Sequence, residues 1–420
     1  MRKVIGMEKM RIAIIGGGAA GFFAAIAARE QNAYAEVTIF ERSAKVLGKV
    51  AITGGGRCNL TNSFEEITDM RQAYPRGFRL MKRLFNQFDH QDAYRWFESH
   101  GVKLVTQDDQ CVFPQSQDAM SVVNCLVNEA RRQGVFVVTD RKVVGINVNT
   151  EGGFVLGFEN AAPERFDRVA VTTGGMPKTG DFLSLRQLGH DVEQPIASLF
   201  TFNIKDPELS KLMGTVVNPA IVSIPKTKMR SEGALLITHW GMSGPAILKL
   251  SSYAARYLQE NNYQSAVAVN WVAEPNRNIV EQKMRQVVQT HSQKQLISIR
   301  PFSLPSRLWQ YLLQKTGLAE NRRWAELGSK GMNRLIETLT NDTYQINGKG
   351  AFRDEFVTCG GISLNNIDYN TLESKRCGGL YFAGEVLDID AITGGFNLQA
   401  AWTTGYVVGR HIANSLNAKE

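Results

Sequence analysis

A glycine-rich turn near the amino terminus constrains the fold of this chain more than any other feature. An apolar, β-branched run at 11–15, RIAII, leads directly into the run GGGAAG at 16–21, and an alanine-rich segment to Arg29 follows. Such an apolar run suits a parallel strand that is covered on both faces. The G-x-G-x-x-G spacing between a strand and a helix is typical of a dinucleotide-binding βαβ unit, so the sequence predicts a Rossmann-type α/β fold.

Each glycine of this fingerprint has a separate role. Gly16 permits the tight turn, Gly18 lets the backbone approach a pyrophosphate, and Gly21 allows the helix to pack on the strand. Glu41 lies 20 residues after Gly21, at the end of the next predicted strand, 37–41. A carboxylate at this point accepts hydrogen bonds from the adenosine ribose hydroxyls. The alternative is a plain glycine-rich turn with an incidental surface glutamate.

The fingerprint alone does not separate FAD from NAD, but further glycine-rich loops favour FAD. The runs LGK at 47–49 and TGGGRCN at 53–59 follow the ribose strand, and the second offers arginine and asparagine donors to phosphates or ring carbonyls. Near the carboxyl end, GEVLD at 384–388 follows a strand and GGFN at 394–397 opens the last helix. A helix N-terminus aimed at the N1/C2=O edge of a flavin stabilises the reduced ring. For each loop alone, a plain turn is the alternative.

Long runs of the sequence resemble one known family. The runs GGGAAGFFAA, ITGGGRCNLTN, THWGMSGPAIL and YFAGEVLDIDAITGGFNLQAAWTTGYVVG are similar to those of the BaiN-like, YhiN-type family of bacterial FAD-dependent oxidoreductases, and the resemblance covers the chain after Met10. It implies a flavoprotein core of the two-dinucleotide-binding-domain type with an inserted domain of β-barrel and helical parts. One departure is Cys359, where the family more often has alanine or another small residue, so no thiol role is carried over to it.

The resemblance and the loops together predict the FAD contacts. The resemblance implies that FAD is lined by Gly16, Gly18, Gly21, Glu41, Thr53, Gly56, Arg57, Gly384, Asp388, Gly395, Phe396, Asn397 and Leu398. We add the neighbouring positions Ala20, Arg42, Lys49, Cys58, Asn59, Val143, Thr173, Gly174 and Glu385. No metal-ligand set and no Ser/His/Asp combination stands out in the sequence.

The sequence pattern changes twice along the chain. Its first part alternates strands and helices and includes a predicted antiparallel meander at 135–159. Strand-like pieces followed by polar, helix-like stretches occupy the middle, and glycine-rich strand and turn character returns near the carboxyl end. We therefore predict an FAD-binding domain built from both chain ends, residues 1–194 and 346–420, with residues 195–345 inserted as a substrate domain.

The cysteines and the amino terminus bear on the compartment. The five cysteines are odd in number, widely spaced and without a C-x-x-C, which indicates free thiols in a reducing compartment. The start of the chain lacks signal-peptide character, and the most membrane-like stretch, 13–28, is interrupted by glycines and too short to span a bilayer. We expect a cytoplasmic protein with no membrane contact and no metal, whose oligomeric state the sequence does not specify.

Two residues are candidates for the proton donor in a flavin-dependent reduction. Only one G-x-G-x-x-G occurs, so NAD(P)H, the expected reductant, would dock transiently against the flavin. Cys58 follows the triple-glycine loop and is the first candidate acid, and its alternative role is that of a small buried hydrophobe. His239, at a predicted strand end in the insert, is the second candidate, with a hydrogen-bonded structural histidine as the alternative.

The net charge of +8 is concentrated in the predicted insert. Residues 200–350 hold 19 Lys+Arg against 10 Asp+Glu, and 276–334 alone hold 11 against 3, with Trp309, Tyr311 and Trp324 interleaved. Cations bind phosphates and exposed rings stack on bases, so this pattern favours contact with RNA. The alternative is a solvated helical face with the rings in the core.

The family resemblance also points to a substrate. It includes members implicated in making dihydrouridine in ribosomal RNA by reducing the uracil C5=C6 bond. Our favoured hypothesis is that the insert positions ribosomal RNA and presents an extruded uracil to reduced FAD, with Cys58 or His239 as proton donor. Two alternatives stay open, namely a small-molecule enone reductase or amine oxidase, and a non-catalytic FAD-binding interaction protein.

Overall fold

Two compact units make up the structure. The computed structural model describes residues 9–176, 183–350 and 357–414. One unit is formed by residues 1–197 together with 357–420, and the other by residues 198–356. In the described part of the chain, no helix is both long enough and apolar enough to span a membrane.

The first unit contains a parallel sheet, three smaller sheets and most of the long helices. Its strands are β1 Arg11–Ile15, β2 Glu36–Phe40, β3 Thr61–Asn62, β4 Leu104–Thr106, β5 Cys111–Pro114, β6 Phe136–Val138, β7 Val143–Val148, β8 Phe154–Phe158, β9 Glu164–Phe166, β10 Arg168–Val171, β11 Val192–Ser198, β18 Val357–Ile362 and β19 Leu380–Phe382. Its helices are α1 Ala19–Gln31, α2 Gly48–Ile52, α3 Met70–Ala73, α4 Phe78–Leu84, α5 His90–Ser99, α6 Ala119–Arg132, α7 Leu183–Gln187 and α14 Phe396–Ile412.

The central sheet has the strand order β19-β10-β1-β2-β6, and every neighbouring pair is parallel. Because β1 lies in its middle, Ile12, Ala13 and Ile14 are fully buried, as their apolar run predicts. The predicted meander at 135–159 is wrong for its first strand, since β6 pairs in parallel with β2. The antiparallel ladder is instead β7-β8-β9. A three-residue apolar strand carries too little pattern to show which sheet it joins.

Helix α1 packs against α14 with its backbone in direct contact. Its residues from Ala20 to Ala28 are all buried. A Cβ atom at Gly405 would lie 2.6 Å from the carbonyl oxygen of Ala20, and one at Gly409 would overlap the carbonyl oxygen of Ala24. Both contacts advance by four residues along each helix, so the two helices run parallel. Hydrogen is therefore the largest substituent that fits at these two α14 positions.

The second unit is a closed barrel with a helical part. Its strands are β12 Phe202–Ile204, β13 Val216–Ser223, β14 Arg230–Thr238, β15 Gly241–Ser243, β16 Gln264–Asn270 and β17 Asp342–Lys349. Its helices are α8 Pro207–Ser210, α9 Pro245–Tyr253, α10 Ala255–Glu260, α11 Arg277–Thr290, α12 Ser306–Lys315 and α13 Gly328–Asn341. The barrel order is β12-β15-β14-β13-β16-β17, and β17 closes it by pairing with β12. The predicted fold class, a Rossmann-type domain with an insert of β-barrel and helical parts, is confirmed.

A buried polar cluster joins the helical part to the barrel. Asp342 at the start of β17 is 4% exposed, and it accepts hydrogen bonds from Lys315 Nζ at 2.5 Å and Trp271 Nε1 at 2.9 Å. The hydroxyl of Tyr344 also donates to it, at 2.5 Å. Since a buried carboxylate is strongly destabilising without such partners, this cluster fixes α12 on the barrel.

The contact between α1 and α14 makes a prediction about stability. We expect Gly405→Ala to lower the free energy of unfolding by about 2 kcal/mol, because the added methyl group overlaps the Ala20 carbonyl, although alanine favours a helix. Urea unfolding followed by circular dichroism measures the change. Gly378→Ala is the matched control, since a Cβ atom there meets nothing within 4 Å. Equal urea midpoints of unfolding for the two variants would contradict the close packing of α1 against α14.

Candidate flavin-binding site

The N-terminus of α1 provides the first part of the site. A Cβ atom at Gly16 would lie 2.6 Å from the Thr172 carbonyl oxygen, and one at Gly21 would lie 2.7 Å from Thr172 Oγ1, so packing alone requires both glycines. Gly18 differs, because a Cβ atom there meets nothing within 4 Å. It is the N-cap residue of α1 and has no side chain to accept the N–H groups of the first turn. These N–H groups and the helix dipole therefore face open space that suits a diphosphate.

Glu41 lies at the end of β2 and is held by the fingerprint turn. Its Oε2 accepts a hydrogen bond from the backbone N–H of Gly17 at 2.8 Å. Its Oε1 accepts from the backbone N–H and the hydroxyl of Ser43, at 2.9 and 2.8 Å. A polar cavity of about 500 Å³ opens beside the residues that follow, and it is lined by Arg42, Ser43, Asp140, Lys142, Glu159 and Asn160. This cavity suits the adenosine end of a dinucleotide.

Three other predicted contacts lie beside the fingerprint turn or the polar cavity. Thr173 follows β10, and its Cα atom lies 3.0 Å from the position that a Cβ atom of Gly16 would occupy. A Cβ atom added at Gly384 would lie 2.9 Å from the Cβ atom of Ala20. Val143 begins β7, directly after Lys142 of the polar cavity. The structure therefore brings these positions close to the N-terminus of α1 or to the cavity.

The triple-glycine loop after α2 presents open backbone. Gly54, Gly55 and Gly56 have φ values of +61°, +70° and +84°, and Cβ atoms at the last two would meet nothing within 4 Å. The guanidinium carbon of Arg57 lies 4.2 Å from the centre of the Phe113 ring. The amide of Asn59 lies 3.2 Å from the backbone nitrogen of Gly395, which connects this loop to the N-terminus of α14.

Cys58 ends this loop with its side chain fully buried. Its φ is +63°, an unusual conformation for a residue with a side chain. Burial raises the pKa of its thiol to about 12, so the thiol stays protonated at neutral pH. A thiol in this state is able to release a proton only to a strong base or to a developing carbanion.

An ion pair joins two further predicted loops. Lys49 Nζ lies 2.9 Å from Glu385 Oε2, and the other oxygen of Glu385 accepts from the backbone N–H of Thr358 at 2.7 Å. A Cβ atom at Gly174 would lie 3.7 Å from the same carboxylate. The loops that contain Lys49, Gly174 and Glu385 therefore meet, as expected for positions that contact one ligand.

The N-terminus of α14 is the second helix end in the site. Gly395 is its N-cap residue, in the left-handed conformation with φ +88°. Asn397 fixes the preceding loop, because its Oδ1 accepts from the Ala391 N–H at 2.9 Å and its Nδ2 donates to the Ala391 carbonyl at 3.1 Å. Tyr74 donates its hydroxyl to the carbonyl of Phe396, whose ring is 3% exposed. The backbone of this turn, not the ring, is thus available to a ligand.

Sequence reasoning missed a buried ion pair beside this turn. Arg76, which follows α3, forms two hydrogen bonds to the carboxylate of Asp390, and the exposed fractions of the two side chains are 13% and 0%. Asp388, a predicted contact, lies two residues earlier and donates its backbone N–H to Ile362 at 3.0 Å. No local pattern marks Arg76, because its partner lies more than 300 residues away in sequence.

The offset between the two helix ends matches an extended dinucleotide. Ala20, one residue into α1, contacts Gly405, nine residues into α14. At 1.5 Å per residue, the N-terminus of α14 therefore lies about 12 Å beyond that of α1 along their shared direction. The residues present fit FAD, because the first helix end would suit its diphosphate and the second an anionic edge of its ring.

His239 belongs to the second unit. It lies in the turn between β14 and β15, where its side chain is exposed and its ring centre is 4.3 Å from that of Trp240. It was the only predicted catalytic residue in the insert, and it follows the end of β14 directly, two residues before Gly241. It is not a buried histidine of a core.

The predicted role of the three aromatic rings in the insert is wrong. Trp309 and Trp324 are fully buried and stack on each other, with ring centres 6.2 Å apart, and Tyr311 is 7% exposed. These rings form the core of the helical part and are not available to bases. Helical spacing places rings on the core face as readily as on the surface, and the sequence did not separate the two cases.

Exposed cations remain on two paired segments of the helical part. The backbone N–H of Leu296 donates to the carbonyl of Arg322 at 2.8 Å, and that of Trp324 donates to Lys294 at 3.0 Å. Lys294, Arg322 and Arg323 are exposed on these segments. Three of the other eight cations of 276–334 are neutralised in ion pairs, namely Arg277 with Glu337, Arg285 with Glu281 and Lys315 with Asp342.

Comparisons with known proteins give a consistent result. A family model described as "HI0933-like protein Rossmann domain" matches residues 10–411. A 3-dehydro-bile acid delta(4,6)-reductase of Clostridium scindens is 30% identical over 417 residues, which cover 96% of this chain and 99% of that protein. A ribosomal RNA dihydrouridine synthase of Escherichia coli is 29% identical over 420 residues, which cover 97% of this chain and 98% of that protein.

A solved structure has the same fold. The 3-ketosteroid-delta4-(5alpha)-dehydrogenase from Rhodococcus jostii RHA1, in complex with 4-androstene-3,17-dione, superposes with a TM-score of 0.51 at 15% sequence identity. The match covers 98% of this chain and 99% of that chain. The likeness therefore extends through the fingerprint, the insert and the carboxyl-terminal segment.

Gly18 provides a test of the site that separates binding from folding. We expect Gly18→Ala to weaken FAD binding at least tenfold, because the methyl group would occupy the space that the diphosphate needs. The free energy of unfolding without FAD should fall by no more than about 1 kcal/mol, since φ is −94° and a Cβ atom meets no neighbour, although alanine is a poorer N-cap residue than glycine. Quenching of FAD fluorescence measures binding, with Gly378→Ala as control. Unchanged affinity would place the diphosphate elsewhere.

Proposed function

This chain belongs to the HI0933-like family, and we propose that, as an FAD-dependent oxidoreductase, it reduces a carbon–carbon double bond conjugated to a carbonyl group. The observation that carries the proposal is the pair of parallel helix N-termini, offset by about 12 Å along their shared direction and each approached by glycine-rich loops. One such end suits a diphosphate and the other an anionic flavin ring.

The chain's own groups supply binding and charge at defined places. When bound, FAD supplies two-electron hydride chemistry at its N5 atom. The N–H groups at the N-terminus of α1 would hold the diphosphate, and Glu41 would accept hydrogen bonds from the ribose hydroxyls. The N-terminus of α14 would stabilise negative charge on the flavin ring. Cys58 and His239 are the side chains proposed to hold the proton that completes the reduction.

The names of the relatives support a conjugated double bond as the reacting group. One relative is a reductase of a 3-dehydro-bile acid and another makes dihydrouridine in ribosomal RNA. A 3-oxo steroid with a Δ4 bond and a uracil ring both have a carbon–carbon double bond conjugated to a carbonyl group. Such a double bond accepts hydride at the carbon farther from the carbonyl. We propose NAD(P)H as the reductant, and because the sequence holds a single dinucleotide fingerprint, it would dock transiently against the flavin.

We favour a uridine of ribosomal RNA as the substrate. The support is electrostatic, because Lys294, Arg322 and Arg323 are exposed together on the paired segments of the helical part. Cations in such a group bind phosphates without regard to sequence. With the aromatic rings buried, this surface would position the RNA backbone, and selection of the uracil would fall to groups nearer the flavin.

A small-molecule enone is the second candidate substrate. The bile-acid reductase is as similar to this chain as the ribosomal RNA enzyme is, and both align over almost the full length. An enone needs no basic surface. The two candidates therefore differ in one measurable respect, which is the dependence of turnover on the exposed cations of the insert.

One experiment tests the function and separates the two substrates. The bound FAD is reduced anaerobically with NADH or NADPH and then mixed with unmodified ribosomal RNA, a steroid enone or oxygen. We expect RNA to reoxidise the flavin fastest. The double variant Arg322→Gln with Arg323→Gln should weaken RNA binding about tenfold and lower the slope of log affinity against log salt by about 1.5. The rate at which oxygen reoxidises the flavin should not change.

The control for this variant removes the same charge elsewhere. Lys205→Gln with Lys228→Gln neutralises two exposed cations of the same unit outside 276–334. Equal RNA affinity in both double variants would reject the basic surface as the RNA contact. Reoxidation by the enone alone would establish the small-molecule alternative, and reoxidation by oxygen alone would reject the proposed function.

Cys58 makes a prediction about the proton. We expect Cys58→Ala to leave flavin reduction unchanged and to slow reduction of the acceptor about 100-fold, as for loss of a general acid. Because the pKa of this thiol is about 12, the wild-type rate should stay level between about pH 6 and pH 10. Stopped-flow absorbance measures both half-reactions, with Cys125→Ala as control. If Cys58→Ala keeps the full rate and His239→Gln loses it, the donor is His239.

A further inference from the structure

Three ionisable side chains meet in the first unit, away from the flavin site. Glu30 lies near the end of α1, His100 is the C-cap residue of α5, and Glu129 lies in the last turn of α6. One nitrogen of His100 and one oxygen of each carboxylate all lie within 4.8 Å of one another. At 1.5 Å per residue, α1 places this cluster about 17 Å from the fingerprint turn.

The imidazole of His100 directs a lone pair into the cluster. Its Nδ1 lies 2.7 Å from the carbonyl oxygen of Trp96, and because a carbonyl can only accept, Nδ1 carries the proton. The ring also stacks on the indole of Trp96, with centres 4.1 Å apart. In the neutral ring Nε2 is then an acceptor, and it lies 3.9 Å from Glu129 Oε1. If Nε2 were protonated, this distance would be too long for a hydrogen bond.

The two carboxylates add to the negative potential. Glu30 makes no side-chain hydrogen bond or ion pair within the described residues. Partial burial and the neighbouring Glu129 raise the pKa of Glu30 above its ordinary value, and His100, Arg410 and Arg132 only partly oppose them. Glu129 is 5% exposed and is held by Arg132 at 2.6 and 2.7 Å and by Gln133 at 2.9 Å.

The helices themselves also favour a cation at this point. All three side chains lie at the carboxyl ends of helices, and α1, α5 and α6 have 13, 10 and 14 residues. The carboxyl end of each helix dipole carries about half a negative charge. Three such ends, two carboxylates and a lone pair thus converge, and Arg132 and Gln133 both donate to Glu129 Oε1, the oxygen that faces His100.

We propose that Glu30, His100 and Glu129 form a binding site for a divalent transition metal of the zinc class. Imidazole nitrogen and carboxylate oxygen bind Zn²⁺ at about 2.0–2.2 Å, which places tetrahedral ligand atoms about 3.4 Å apart. The distance from His100 Nε2 to Glu129 Oε1 must therefore close by about 0.5 Å. The Trp96 carbonyl and Arg132 orient the ligands, as outer partners do in metal sites.

The site ties together three helices and takes no part in the flavin reaction. Water completes the coordination, since three protein ligands leave one tetrahedral position open. The bound metal stabilises the end of α1 that lies opposite the fingerprint turn. Its occupancy should therefore raise the unfolding temperature and leave the affinity for FAD unchanged.

Metal titration of the tag-free, FAD-bound protein tests the proposal. After treatment with a chelator, calorimetry with ZnCl₂ should show one equivalent bound, and Co²⁺ should give the visible absorption of a tetrahedral site. Glu30→Gln and His100→Ala should each weaken Zn²⁺ binding at least tenfold. Glu30→Gln keeps the size and the surface position of the side chain, so it separates ligand loss from misfolding.

A second histidine at a helix end provides the matched control. His291 is the C-cap residue of α11, and His291→Ala should bind Zn²⁺ as the wild type does. The proposal is overturned if the wild type binds no Zn²⁺, or if Glu30→Gln binds it with wild-type affinity. Neither result bears on the flavin reaction, which the reoxidation experiment tests separately.

Discussion

The direct backbone contact between α1 and α14 is the interaction on which the flavin site depends. Because Gly405 and Gly409 lack side chains, the carbonyls of Ala20 and Ala24 approach α14 closely, and neither helix is able to slide or rotate without overlap. The two helix N-termini are thereby fixed relative to each other. Two further contacts hold the neighbouring loops in place. One is the hydrogen bond between the Asn59 amide and the backbone of Gly395, and the other is the ion pair of Lys49 with Glu385.

Local patterns predicted the parts of the fold that local physics determines. The run at 11–15 and the turn at 16–21 specify β1 and the start of α1, because apolar periodicity and glycine spacing act over a few residues. The last helix was predicted within a residue or two of its true start at Phe396 for the same reason. The glycine runs at 16–21 and 394–395 alone located the N-termini of α1 and α14.

Contacts between distant segments were beyond the reach of sequence. Nothing near Arg76 indicates that it pairs with Asp390, and no spacing connects Glu30, His100 and Glu129. The aromatic rings of the insert were misjudged because charge and aromatic content describe a segment without saying which face is buried. Burial of Trp309 and Trp324 is decided by how α12 packs in three dimensions.

The hydrogen bonds of Glu41 would have an entropic consequence for the ribose contact that we propose for it. Its carboxylate is already fixed by the N–H of Gly17 and by Ser43, so the side chain has few rotamers left to lose when a ribose arrives. Immobilising a free glutamate side chain costs about 1.5 kcal/mol. Because this entropy is already lost when the chain folds, it is not lost again on binding. The same free energy corresponds to a dissociation constant for the nucleotide about tenfold lower than with a free glutamate side chain.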